Sequence, residues 1–253
     1  MDISVAQLPS GGYGYKFPTI RIEPLDFLGL TKYVEGVPQD DSLGKYQYDI
    51  RLLVEDDPNI KDCYIMDVDF LIFYKKLCTI SDDLSYQVEI NCPDCGKKLK
   101  KTIYFDKDIH FRGLDERVMN GAQVELGGHT YQTIIPTVTD FMKVFQIYMK
   151  YKKITDLKMI KTIALFKDFS LNANQIEKDV LGAKHEDITV LLMLQDLYFD
   201  LVEPIQMFCP DCNKGLKPEE RRSVAVSIDS LIVNLFRDLY INCPVDGSKI
   251  LFK

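Results

Sequence analysis

The sequence predicts an α+β protein: two zinc-knuckle β-ribbon units, joined by one structural zinc and covered by helices. Three observations carry this. The tetrad Cys-Pro-Asp-Cys occurs twice, at Cys92-Pro93-Asp94-Cys95 and at Cys209-Pro210-Asp211-Cys212. An extended, strand-like stretch runs into each copy, and an alternating stretch follows each, the second after a charged loop. Apolar segments of helical period precede both copies and fill the interval between them.

The elements follow in order. The opening Leu8-Pro9-Ser10-Gly11-Gly12-Tyr13-Gly14-Tyr15 reads as a turning lead-in, without the Lys-Ser/Thr ending of a phosphate loop. Thr19-Ile20-Arg21-Ile22, bracketed by Pro18 and Pro24, is an edge-strand candidate. Asp26 is a cap for a helix through Tyr33, and a second helix covers Tyr46 to Val54. Asp67-Val68-Asp69 reads as the start of an apolar helix carrying Phe70, Leu71, Phe73, Tyr74 and Leu77. Tyr86 to Ile90 alternates into the first tetrad, and Leu99 to Phe105 alternates back out.

The middle of the chain mixes both kinds of element. Gln123 to Leu126, Gly127-Gly128 and Thr130 to Ile135 make a hairpin signal. Helices are expected from Thr139 to about Lys152, Asp156 to Phe166, Asn174 to Val180, and Ile188 to Phe199. Ile205 to Phe208 then enters the second tetrad, and Val224 to Asp229 alternates after it. The order helix, strand, tetrad, strand thus occurs twice. It divides the chain into residues 1–109 with the first knuckle, a middle region 110–184, and residues 185–253 with the second.

Two thiolates separated by a tight Pro-stiffened turn point the same way and converge on one tetrahedral ion. Gly96 and Asn213, which follow the two tetrads, tolerate the positive φ such a turn often needs. Cys92, Cys95, Cys209 and Cys212 together make a four-thiolate site with no open position, which favours structural zinc over catalysis. A redox pair explains one Cys-x-x-Cys but not two matched copies, and iron–sulfur ligation fits a Pro-containing knuckle less well. One alternative stays open. Cys243-Pro244-Val245-Asp246-Gly247 resembles a third knuckle with Asp as second ligand, and it can pair with Cys209 and Cys212 instead. Cys63 and Cys78 sit in apolar settings and read as buried, inert thiols.

Composition bounds the rest. Seven cysteines, an odd number with four in tight pairs, suit a reducing compartment better than a disulfide framework. No apolar run approaches the ~20 residues that cross a bilayer, and Met1-Asp2-Ile3-Ser4 carries no secretory pattern, so no membrane partner is expected. A net charge of −7 repels phosphate at long range and makes nucleic acid an unlikely partner. Lys97, Lys98, Lys100 and Lys101 read as a solvated ribbon face. The three histidines, His110, His129 and His185, lie in no metal or nucleophile motif, and no enzyme is expected.

Leu8 to Gly12, the strand Ile20-Arg21-Ile22-Glu23-Pro24, the helix Phe70 to Leu77, and Tyr86-Gln87-Val88 leading into Cys92-Pro93-Asp94-Cys95-Gly96 resemble, in that order, the T4-type phage baseplate hub proteins. The second knuckle at Cys209 extends the resemblance. It implies a non-enzymatic tail protein, a component or assembly factor of the baseplate hub, in contact with hub and tape-measure proteins. It would work in the host cytoplasm during assembly and in the virion baseplate if retained. Two segments are candidates for such contacts: the lead-in with Tyr13, Tyr15 and Phe17, and the helix with Phe141, Val144, Phe145, Tyr148 and Met149. The lead-in can equally pack on its own domain, and for the helix burial in the protein's own core is the favoured reading.

Overall fold

Strands form where alternation meets a turn, and helices where apolar residues recur every three or four positions. The computed structural model describes residues 1–36, 41–151, 156–167, 169–199 and 201–226. Among them it is a mixed α+β protein with four small antiparallel strand pairs. The chain forms two compact units whose segments interleave. The first holds Met1–Glu23, Gly36–Ile72 and His110–Glu203; the second holds Pro24–Glu35, Phe73–Ile109 and Pro204–Lys253.

In the first unit, β1 (Asp2–Ser4) pairs with β2 (Thr19–Arg21), bringing Ile3 opposite Ile20, and both are buried. The chain enters the next elements through α1 (Phe27–Gly36), where the Gly29 N–H donates to the Asp26 carboxylate at 2.6 Å. In α2 (Ser42–Asp56), the Asp41 carboxylate accepts from the Leu43 N–H, capping the helix earlier than the apolar pattern alone suggests. The helix α3 (Ile65–Ile80) contains the division between the units.

That helix begins two residues before the expected Asp67 start, and Asp67 has another task. Its carboxylate is fully buried and accepts from the Ser10 N–H at 2.8 Å, the Ser10 hydroxyl at 2.6 Å and the Tyr15 hydroxyl at 2.5 Å. The Tyr15 ring stacks on Phe17 and on Tyr64, with centroids 4.9 and 5.0 Å apart. Leu8 and Ser10 are buried, while Tyr13 stays 40% exposed. The lead-in therefore packs on its own unit, because a desolvated carboxylate requires the donors the lead-in supplies.

The second expected contact element is also used at home. In α6 (Val138–Tyr151), Phe141, Val144, Phe145 and Tyr148 are all buried. Phe141 meets the edge of Tyr46, and Tyr148 faces Phe169. The hairpin of β5 (Gln123–Leu126) and β6 (His129–Gln132) turns at Gly127 and Gly128, both at positive φ. Three helices complete the unit: α7 (Leu157–Ala164), capped by Asp156, α8 (Phe169–Leu181) and α9 (His185–Tyr198). Two short helices precede these along the chain, α4 (Phe105–Asp108) in the second unit and α5 (Glu116–Met119) in the first. Lys161 on α7 is buried and satisfied: its Nζ lies 2.6 Å from Asp69, which also accepts from the Tyr46 hydroxyl.

The second unit is built from two hairpins, most of α1 and part of α3. β3 (Ser85–Asn91) pairs with β4 (Lys98–Tyr104), placing Tyr86 opposite Ile103 and Ile90 opposite Leu99. Tyr86, Val88, Leu99 and Ile103 are buried on one face, while Glu89, Lys98 and Lys100 meet on the other. Phe105 packs on Phe73 and Tyr74 of α3. β7 (Ile205–Phe208) pairs with β8 (Ser223–Val226). The expected strand beyond Val226, through Asp229, lies outside the described residues, as do Lys152 and the third knuckle at Cys243 and Asp246.

Candidate metal centre

Each tetrad sits at the mouth of a hairpin, where chain reversal brings backbone groups close to sulfur. In the first, the Cys92 N–H donates to the Lys97 carbonyl and the Gly96 N–H to the Cys92 carbonyl, both at 2.8 Å. This tight return requires a positive φ at Gly96, where φ is 72°. In the second, the Asn213 N–H donates to the Cys209 carbonyl at 3.1 Å.

Asn213 departs from the expectation that it would share Gly96's backbone conformation. Among the described residues, Leu84 is the one non-glycine at positive φ, and the left-handed turn here falls on Gly215. Asn213 acts through its side chain instead. Its amide donates to the carbonyls of Cys209 and Arg222, each at 2.9 Å, and its carbonyl accepts from the Arg222 N–H at 2.7 Å. A buried amide with these three bonds ties the two ends of the loop together beside the backbone bonds.

The two hairpins bring all four sulfurs together. Cys92 and Cys212, 120 positions apart, have Sγ atoms 3.7 Å from each other; Cys95 and Cys209, 114 apart, have theirs at 3.6 Å. Every pair lies within 4.8 Å. A tetrahedron of thiolates about 2.3 Å from an ion has edges of roughly 3.8 Å, so the arrangement fits a single four-coordinate metal. Cys92 and Cys209 are buried, Cys212 is half-buried and Cys95 is exposed. Among the described residues, no histidine or carboxylate belongs to the cluster.

The local field does not act alike on these sulfurs. The backbone N–H of Cys212 holds the Cys209 thiol down to about 7, so that its thiolate forms near neutral pH. Cys212 is pushed up, first by the Cys95 thiol beside it and then by burial. Across the knuckles, the Lys97 ammonium donates to the Asp211 carboxylate at 2.8 Å, an ion pair on the rim that the sequence alone did not suggest.

The other residues singled out by sequence fall elsewhere. Cys63 and Cys78 are buried thiols, as expected. Burial, reinforced by the charge of Asp67, pushes Cys63 up. His110 and His185 are exposed. His129 is about half exposed but not simply solvated: its Nδ1 lies 2.8 Å from the buried Asp179 carboxylate, which also accepts from Tyr131 and Gln175.

No family model matches this chain, and no curated protein or solved structure is significantly similar to it. No helix among the described residues is long and apolar enough to cross a membrane.

Proposed function

We propose that the chain is a non-enzymatic protein of a T4-type phage baseplate hub, a component or an assembly factor. In this reading Cys92, Cys95, Cys209 and Cys212 hold one structural zinc. The convergence of four sulfurs from two hairpins supports the metal reading most directly, because a complete thiolate shell leaves no position for substrate. When bound, zinc would supply a cross-link between the hairpins, and the chain's own groups orient the sulfurs toward it. The hub reading rests on the resemblance of the first hundred residues. Its partners would be hub and tape-measure proteins, met in the host cytoplasm and, if the chain is retained, in the virion.

A second reading, a zinc ribbon that binds nucleic acid, needs free cations on the ribbon. Lys97 pairs with Asp211, Lys98 and Lys100 with Glu89, and Lys101 with Asp108. A phosphate backbone would have to compete with each of these partners. On the second ribbon Lys214, Lys217, Arg221 and Arg222 are exposed, so the preference for a protein-binding role rests on the net charge of −7 and on the resemblance.

Metal analysis of the purified chain, alongside co-expression with hub and tape-measure proteins, tests both parts. One zinc per chain and joint purification are expected. Metal retained after both Cys92→Ser and Cys209→Ser would refute the site. Purification of the intact chain free of every hub and tape-measure protein would refute the assignment.

A further inference from the structure

We propose that a polar cleft in the first unit, lined by Tyr13, Tyr64, Asn120, Gln132 and Lys167, binds a small acidic sugar. The cleft encloses about 510 Å³, within the roughly 300–1,000 Å³ of ordinary small-molecule sites. Neither the metal centre nor the hub reading involves it. Its walls come from separate segments of the unit. Tyr13 belongs to the lead-in and stays 40% exposed, although Leu8 and Ser10 are buried. Tyr64 immediately precedes α3; its ring is stacked on Tyr15, and its N–H donates to the Tyr15 hydroxyl at 2.7 Å, which holds the Tyr64 phenol in place. Asn120 follows α5 and Gln132 ends β6. The Lys167 N–H donates to the Gln132 carbonyl at 2.8 Å, setting those two side chains on one wall.

The lining states the chemistry of the ligand. Among the described residues, no hydrogen bond or ion pair within the chain engages any of these five side chains. Lys161, by contrast, is paired with Asp69. Unengaged donors and acceptors grouped around one concavity are what a ligand uses for orientation. Lys167 is the one charged residue of the described lining, in a chain of net charge −7, so the cleft takes a single anionic group. One ammonium matches one carboxylate; a run of phosphates needs more cations. Two amides and two phenols each donate and accept, as sugar hydroxyls do. The exposed Tyr13 ring offers an apolar face to the C–H side of a sugar ring. A peptide strand does not fit, because the backbone of this wall is already paired on both sides. The Thr133 N–H donates to the Ala122 carbonyl and the Ile134 N–H to the Leu165 carbonyl, each at 2.8 Å, which leaves no strand edge to extend.

The test titrates the full chain with three probes, read by saturation-transfer difference NMR: cellobiouronate, its neutral counterpart cellobiose, and acetate. Cellobiouronate should bind the wild type at least about tenfold more tightly than either of the others, because it alone combines the carboxylate with the hydroxyls. Lys167→Gln should erase that advantage and leave cellobiose unchanged. Tyr64→Phe keeps the ring stack and removes only the hydroxyl; it should weaken both sugars by about threefold. Each variant must keep the metal content and melting temperature of the wild type. If Lys167→Gln does not, Asn120→Ala replaces it, and a weakening of both sugars is then expected. No binding of cellobiouronate to the wild type overturns the proposal. So does acetate binding as tightly as cellobiouronate, which would make the cleft a bare anion contact, and so does cellobiouronate binding that the substitutions leave unchanged. No hub protein enters this assay, so its failure is separable from a failed co-purification.

Discussion

Two regions of this chain hold a glycine-containing loop in place by opposite means. In the second unit, four sulfurs from two hairpin mouths converge into a cluster that could hold a metal ion. In the first unit, a single buried carboxylate, Asp67, gathers three donors from the lead-in without outside help. A closed ligand shell makes the first arrangement depend on metal supply, whereas burial of an acid makes the second depend on pH. One polar centre thus organises each loop, and its chemistry sets what can undo it.

The largest expected effect breaks the comparison from the metal side. Cys92→Ser and Cys209→Ser should each abolish metal binding by elemental analysis and lower the melting temperature strongly, as should chelation of the wild type. A single substitution that keeps full metal content would show that the two hairpins do not share one ion. Deleting residues 1–17 acts on the other side. It removes β1, Leu8 and all three donors to Asp67, and should cost about 4 kcal/mol in denaturant unfolding with metal content unchanged. An unaltered unfolding midpoint would mean the lead-in is not a structural clasp.

The pH dependence sharpens the contrast. Burial pushes Asp67 up to about 6, against the opposing bonds from Ser10 and Tyr15. Since its folded value lies above its unfolded one, its favourable contribution is complete below the unfolded value of 3.8 and is lost as pH rises through about 6. The stability advantage of wild type over Asp67→Asn should therefore shrink by roughly 3 kcal/mol between pH 3.5 and 7. Both proteins lose metal alike in acid, so their difference isolates the carboxylate. A difference that grows with pH would contradict this assignment.

The two knuckles provide the finer test. Asn213→Ala removes three hydrogen bonds, those to the carbonyls of Cys209 and Arg222 and from the Arg222 N–H, and should cost about 2 kcal/mol in metal-loaded protein. Gly96→Ala meets no neighbour and suffers only from positive φ, at about 1 kcal/mol. Equal losses in parallel urea titrations would erase the distinction between a knuckle closed by backbone and one closed by a side chain.

Much of this was legible from residues alone, for local reasons. Alternation located β3, β4, β7 and the start of β8 to within one residue, because side chains of a half-buried strand must point to opposite sides in turn. The repeated tetrad named the four sulfurs, because two thiolates three positions apart across a tight turn share one direction whatever surrounds them. Helix starts were less legible: α2 and α3 begin earlier than their apolar runs, at caps and bends that polar residues or other segments provide.

What the sequence determined by itself was therefore short-range: the elements, their buried faces, and ligand pairs spaced within one turn. Tertiary structure decided which distant groups meet. It buried Asp67 under the lead-in, turned Asn213 into a loop clasp, and set Asp179 against His129. The physical reason is that a spacing rule acts along the chain, whereas desolvation acts through space. A carboxylate is costly or an apolar face is free only once it is known what packs against it.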